Sequence, residues 1–274
     1  MILLLDIGNT NTHVGLADQR RVRRQIDIAT ADWRNGKAAR KLKRFIGKAA
    51  IDAASLCSVV PGTTPLVVQH VREAFSLPTL VLTYKTLRLV GLDYPHPETI
   101  GPDRLANAAA AMARFGAPAV VVDFGTAVTF DVINSAGNYV GGIIAPGLAA
   151  MTDYLHERTA LLPRIKIREI SSAIGKSTEE AMLVGAVHGY RGLVRELIME
   201  LKRELNARKL PVIATGGYAK LIAAKLPEIT VVDPALTLDG LRLIQAAATC
   251  PSAGETRRRV APSGTRKPLS SDCP

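Results

Sequence analysis

One short pattern occurs twice in this chain, 117 residues apart: Asp6, Gly8 and Thr12 recur as Asp123, Gly125 and Thr129. Each copy follows an apolar run, Ile2 to Leu5 or Ala119 to Val122, that stops at the aspartate. Such a run bounded by a polar turn reads as a buried strand. Later in each half the same order returns: strand, glycine, helix, strand. Val59-Val60-Pro61-Gly62 answers Ile213-Ala214-Thr215-Gly216. A repeat of this length implies two copies of one supersecondary unit. Two acidic-glycine turns related by a pseudo-twofold axis would make a cleft with a carboxylate on each wall.

Periodicity and punctuation fill in the rest. In the first half we expect strands over 2–5, 11–17, 22–28, 55–60 and 79–82, with helices over 37–50 and 64–75. A stiff loop with two prolines, 93–101, leads to a helix. That helix opens at Pro102, where the missing N–H costs nothing, and ends at Gly116-Ala117-Pro118. The second half reads as strands over 119–122, 127–133, 139–144, 211–215 and 229–232. Its helices are 177–205, 218–225 and 236–248. Ser177 with Glu180 makes a capping box for the long helix. The expected domains are 1–116 and 117–249, followed by a disordered basic tail over 250–274.

Composition narrows the function classes. Apolar residues are 47% of the 274, enough for a buried core and too many for a disordered chain. The net charge of +11 suits anionic ligands. Arg257, Arg258, Arg259, Arg266 and Lys267 fall in the tail, which weakens the case for a nucleic-acid footprint on the body of the chain. The Arg20-Arg21-Val22-Arg23-Arg24 cluster reads as a solvated strand edge or hairpin tip. Cys57, Cys250 and Cys273 form no CxxC pair, and the five histidines lack metal-ligand spacing. No apolar run approaches the ~20 residues of a membrane helix. We therefore expect a soluble, cytoplasmic protein, with nucleic acid an unlikely partner.

Asp6-Ile7-Gly8-Asn9-Thr10 sits where a strand gives way to a turn. Gly8 lets backbone N–H groups approach a phosphate, and Asn9 and Thr10 add donors. Asp6 can hold Mg²⁺ directly or through water. An ordinary hairpin with an Asx bond would use the same residues. The echo at Asp123-Phe124-Gly125-Thr126 favours the cleft, in which a nucleotide and its metal ion fit. Neither GxxxxGK[ST] nor a GxGxxG after a strand is present, so ATP would bind here without a P-loop or a Rossmann turn.

In order along the chain, these segments resemble one family. They are Asp6-Ile7-Gly8-Asn9-Thr10, Gly101-Pro102-Asp103-Arg104, Asp123-Phe124-Gly125-Thr126-Ala127-Val128-Thr129, Gly141-Gly142 through Pro146-Gly147, Ser177-Thr178 and Ala214-Thr215-Gly216-Gly217. The family is the type III pantothenate kinases, also called Bvg accessory factors, of the actin, hexokinase and Hsp70 superfamily. The resemblance covers roughly 1–246. It implies a duplicated actin-like (ribonuclease H-like) α/β fold with two lobes, mixed sheets and flanking helices. It also implies transfer of the γ-phosphoryl group of ATP to pantothenate, the first step toward coenzyme A.

The resemblance assigns roles as well. Asp6, Ile7, Gly8, Asn9, Thr10, Asn11, Thr12, His13 and Thr126 would contact ATP. Asp103 would be the general base. Read from the residues alone, it is equally an acid placed to suit a helix dipole. Tyr94, Gly101, Pro102, Asp103, Arg104 and Thr178 would bind pantothenate, with Arg104 gripping its carboxylate and Thr178 reaching across a dimer interface. Asp123 would bind a monovalent cation, K⁺ or NH₄⁺. Gly141-Gly142 and Pro146-Gly147 would shape a loop near the nucleotide. Gly185, Gly189 and Gly192 form a smooth helical stripe that suits the homodimer interface. Two other outcomes stay open: a transcription-regulating accessory protein with a vestigial kinase site, and a kinase for another small hydroxyl or acid.

Overall fold

The computed structural model describes residues 1–249. Residues 250–274, the expected tail, lie outside the described residues. The elements in chain order are β1 (Ile2–Ile7), β2 (Asn11–Ala17), β3 (Val22–Ala29), α1 (Lys37–Ile46), β4 (Ala53–Ser58), α2 (Thr64–Phe75), β5 (Thr79–Val81) and β6 (Gly91–Leu92). Next come α3 (Pro102–Phe115), β7 (Ala119–Phe124), β8 (Ala127–Ile133), β9 (Asn138–Pro146), α4 (Leu148–Arg158) and α5 (Thr178–Val184). The chain continues with α6 (Tyr190–Glu204), β10 (Val212–Thr215), α7 (Ala219–Ala223), β11 (Val231–Val232) and α8 (Leu236–Thr249).

The duplication is visible in the sheets. The first has the order β3-β2-β1-β4-β5; the second has β11-β10-β7-β8-β9-β6. In each, three antiparallel strands are followed by two parallel ones: β1 carries β4 and then β5, as β7 carries β10 and then β11. The match stops at the edge. β6 comes from the first half of the chain and pairs in parallel with β9 of the second sheet.

Strand parity places the aspartates. Leu3, Leu5 and Ile7 pack into a core with α1 and α2, whereas Leu4 faces the opposite way. Asp6 shares its parity with Leu4. In β7, Val120, Val122 and Phe124 pack toward α6, while Val121 joins the same central core as Leu4. Asp123 shares its parity with Val121. Both carboxylates therefore lie on the face turned toward α3 and α8, which fill the layer between the sheets. The alanines of α3 make that layer thin. Gly240 of α8 crosses at Ala106, where a Cβ would stand 2.0 Å from the Ala106 carbonyl oxygen.

Several expectations change in detail. α4 was not anticipated. Its buried residues are only Leu148 and Thr152, so no apolar stripe announces it. The helix expected over 177–205 is interrupted by a π-helical turn, Gly185–Gly189, between α5 and α6. The helix expected over 218–225 shortens to α7. Gly141 and Gly142 lie within β9, in the strand expected over 139–144, and do not form a loop of their own.

Candidate active site

The two acidic-glycine turns meet. The Thr10 and Thr126 hydroxyl oxygens are 3.4 Å apart. The first turn is closed by Gly8 N–H donating to the Asn11 carbonyl (3.0 Å), the second by Gly125 N–H donating to the Ala127 carbonyl (3.0 Å). The first turn is thus one residue longer. Asp6 pairs in register with His13, whereas Asp123 pairs with Thr129. His13, not Thr12, occupies the place of Thr129. The sequence identity at Thr12 and Thr129 is therefore not a structural equivalence.

That slip separates the predicted ATP-contacting residues. Thr12 is fully buried, and its hydroxyl sits between the Trp33 indole N–H (3.0 Å) and the Thr30 hydroxyl (3.1 Å). Ile7 is in the same core. Contrary to a side-chain role at the nucleotide, both are core residues, and only their backbone is left for contact. Asn9, Thr10 and Asn11 are exposed. Thr30 holds the turn from behind, its hydroxyl donating to the Gly8 carbonyl (2.7 Å) and its N–H to the Thr10 carbonyl (2.9 Å).

A cleft of about 300 Å³ opens beside the turns, lined by Asp6, His13, Asp123, Gly216 and Lys220 among others. Burial pushes the Asp6 carboxyl up to about 7, and Asp103 and Asp123 add like-charge repulsion. The Cys57 thiol donates to its Oδ1 (3.2 Å). Burial raises Asp123 to about 6 against the hydrogen bond from Asn107. Burial also raises Asp103 above its ordinary value, opposed by the backbone N–H and charge of Arg104. Asp6 and Asp123 share this cleft and Asp103 adds its charge nearby, and carboxylates crowded in this way call for cations. His13 lines the same cleft. Although burial works against it, Asp6 and Asp27 raise its pKa, and its Nδ1 is 2.7 Å from Asp27 Oδ1.

Among the described residues no three His, Cys, Asp or Glu side chains gather into a metal-binding group. A cation here would need backbone, phosphate or water oxygens besides the carboxylates, a donor set that suits hard ions. Gly216, at φ +89°, permits this at Asp123, since a Cβ would lie 2.6 Å from Asp123 Oδ1. The residues present therefore fit a cation.

Asp103 and Arg104 sit in the first turn of α3, with Pro102 at its start as expected. Asp103 folds back, its Oδ1 accepting the Arg104 N–H (2.8 Å). A Cβ on Gly101 would meet that oxygen at 2.5 Å. The Arg104 guanidinium is already half used. Nε donates to Asp131 Oδ1 (2.5 Å) and Nη2 to the Phe130 carbonyl (2.9 Å). Burial alone would weaken its charge, but Asp131 beside it raises its pKa. The Nη1–Nη2 edge remains for a ligand. Gly142 makes the approach possible, because a Cβ there would overlap the Phe130 carbonyl oxygen at 1.6 Å. Tyr139 lies under the guanidinium (5.8 Å), and Tyr94, 36% exposed, stands edge-on to Tyr139 (6.1 Å). Gly147 packs on the carbonyls of Gly125 and Thr126 and so fixes the second turn.

Thr178 opens α5 on an exposed surface, and among the described residues it makes no hydrogen bond to this cluster. Ser177 caps α5 by accepting the Glu180 N–H (3.2 Å), while Glu180 reaches back to the N–H of Lys176 rather than of Ser177. Sequence reasoning missed Asn107, Asp131, Lys220 and Thr237. Two of them carried a signal: Asp131 interrupts an apolar strand, and Asn107 interrupts a run of alanines.

Solved structures share this architecture. A proposed 2-dehydro-3-deoxygalactonokinase from Sinorhizobium meliloti superposes with a TM-score of 0.56 at 14% identity, covering 94% of this chain and 100% of its own. A proposed Baf family transcriptional activator from Campylobacter jejuni gives 0.52 at 18% identity, covering 90% and 98%. These establish the fold, an actin-like α/β pair of related units. Sequence goes further. The profile of type III pantothenate kinases matches residues 2–200. The type III pantothenate kinase of Akkermansia muciniphila is 47% identical over 241 residues, 88% of this chain and 96% of that protein. That of Methylacidiphilum infernorum is 44% identical over 248 residues, 89% and 87%. With that profile over most of its length and relatives at 44% and 47% identity, this chain belongs to the type III pantothenate kinase family.

Proposed function

We propose a division of labour within this cleft for the ATP-dependent phosphorylation of pantothenate. The triphosphate lies across the two turns, with Thr10 and Thr126 donating to it and the backbone of Gly8 and Gly125 close beside it. The pantothenate carboxylate takes the free Nη1–Nη2 edge of Arg104, a bidentate contact. Tyr94 and Tyr139 wall that end of the pocket. Asp103 accepts the proton of the primary hydroxyl. The hydroxyl oxygen then bonds the γ-phosphorus as the bond to the bridging oxygen of ADP breaks. Burial raises the proton affinity of Asp103 and so suits it to a base.

Asp6 would hold Mg²⁺ and Asp123 a monovalent cation, K⁺ or NH₄⁺. When bound, these ions neutralise charge on the transferring phosphoryl group. The observation that carries this reading is the meeting of Thr10 and Thr126 at the ends of the two turns, beside half-buried carboxylates whose charges repel. Such a site suits a polyanion that arrives with its own cations.

The rest of the proposal concerns assembly and place. The chain acts as a homodimer, with Thr178 of one protomer completing its partner's pantothenate pocket. Two features support this. Cβ positions at Gly185, Gly189 and Gly192 point into open space, and Met151, Tyr154 and Leu155 of α4 are exposed. No helix among the described residues is long and apolar enough to cross a membrane. We place the enzyme in the cytoplasm, where ATP is supplied.

The test is ADP release with pantothenate and MgATP, in KCl or LiCl, for wild type and Asp103→Asn. Potassium-dependent turnover that falls by about 10² to 10⁴ in the variant supports kinase and base together. Turnover that survives removes Asp103 from the role. A folded dimer with no turnover overturns the kinase reading.

A further inference from the structure

Asn107 lies one turn beyond Asp103 and Arg104 on α3, and it is 1% exposed. A buried amide needs partners for two N–H groups and one oxygen. Asn107 finds all three. Its Nδ2 donates to Asp123 Oδ2 (3.2 Å) and to Asp131 Oδ2 (3.4 Å), and its Oδ1 accepts from the Thr237 hydroxyl (2.8 Å). Only this orientation of the amide presents a donor to both carboxylates. The acceptor-only carboxylates select it, and the hydroxyl of Thr237, reaching in from α8, holds the amide oxygen in place.

The two carboxylates so bridged belong to different tasks. Asp123 is the cation candidate at the end of β7. Asp131, on β8, is fully enclosed and spends its other oxygen on Arg104 Nε (2.5 Å). One amide therefore stands between the cation site and the arginine that would hold the substrate carboxylate. Any shift of Asp123 toward a bound cation pulls on Asn107, and through Asp131 it moves the free edge of Arg104.

We infer that Asn107 is a positioning residue that couples the cation site at Asp123 to the pantothenate-binding arginine, with the Thr237 hydroxyl anchoring its amide. The inference rests on the kinase reading above. It requires that a monovalent cation and pantothenate change each other's affinity by the same factor.

The experiment is calorimetric titration of pantothenate into the full-length chain, in KCl and in choline chloride at equal ionic strength. Wild type, Asn107→Ala, Thr237→Val and Thr237→Ser are compared, with melting temperatures recorded to confirm folding. Wild type should bind at least about 5-fold more tightly in KCl, the lower end of ordinary coupling. Asn107→Ala should bring that ratio close to one. Thr237→Val should shrink it, and Thr237→Ser, which keeps the hydroxyl, should retain it.

A folded Asn107→Ala that keeps the wild-type ratio overturns the inference while leaving the kinase reading intact. So does a wild type that phosphorylates pantothenate but shows no potassium effect on its binding. If Asn107→Ala does not fold, the two Thr237 variants decide: equal ratios in Val and Ser overturn the coupling. A wild type that neither binds nor phosphorylates pantothenate overturns the kinase reading and the inference with it.

Discussion

The two acidic turns share a topology and differ in how they are held. The first is longer by one residue, tied from behind by Thr30, and its aspartate is touched by the thiol of Cys57. The second is shorter, braced by Gly147, and its aspartate takes an amide hydrogen from Asn107. The duplicated scaffold brings two carboxylates to one face. The divergence of their neighbours gives them different proton affinities, about 7 for Asp6 and about 6 for Asp123. Duplication thus supplies a symmetric cleft, and the surrounding side chains make its two walls unequal.

Position decides the largest difference between the turns and the α3 element. Asp103 has no counterpart in the repeat, so its loss should be the most damaging to rate. The drop of about 10² to 10⁴ expected for Asp103→Asn should leave pantothenate binding by calorimetry within a few-fold of wild type. A comparable loss of binding would mean that Asp103 holds substrate rather than accepts its proton.

The two aspartates should separate in a pH series. Both are raised from an ordinary 3.8, so the folded chain holds these protons more tightly than the unfolded chain. That contribution to stability is complete below pH 3.8. It is lost as pH climbs through about 6 for Asp123 and about 7 for Asp6. At pH 8, in choline buffer without divalent ions, Asp6→Asn and Asp123→Asn should both melt above wild type. The gain is on the order of 3 kcal/mol, with Asp6→Asn ahead. Near pH 4 the three proteins should melt together. Variants no more stable than wild type at pH 8 would show that neither carboxylate is buried as charge.

A smaller effect should distinguish the turn glycines. A Cβ on Gly8 would stand 2.9 Å from the Asn11 carbonyl oxygen, one on Gly125 3.4 Å from that of Ala127. Gly8→Ala must displace backbone and should cost about 1–3 kcal/mol in denaturant unfolding, and Gly125→Ala less than about 1. The reverse order would mean that the longer turn is the more yielding one.

Much of this molecule is legible in its sequence, for identifiable reasons. The buried strands β1 and β7 are short apolar runs cut off by aspartate, and Pro102 marks the start of α3 beyond a stiff loop. Helices α2 and α3 fall at the residues that punctuation predicts. What stays hidden depends on register and on tertiary partners. Thr12 matches Thr129 in spacing, yet one extra turn residue carries its side chain to the other face, against Trp33. Helix α4 has no capping side chain and little buried surface, so neither signal exists. Asn107 and Asp131 look like polar interruptions of apolar elements. Only the packing of α3 between the sheets shows that they satisfy each other.

The most direct test is whether the two turns grip one ligand. Steady-state kinetics with MgATP varied and pantothenate saturating should be measured for Thr10→Ala, Thr126→Ala and the double variant. If these hydroxyls, 3.4 Å apart, serve one triphosphate, removing either should raise KM for ATP. The double variant should then fall short of the product of the two effects, by a coupling of about 0.5 kcal/mol or more. A KM that responds to one turn alone would contradict a shared site, and strictly multiplicative effects would contradict the coupling of the two hydroxyls across it.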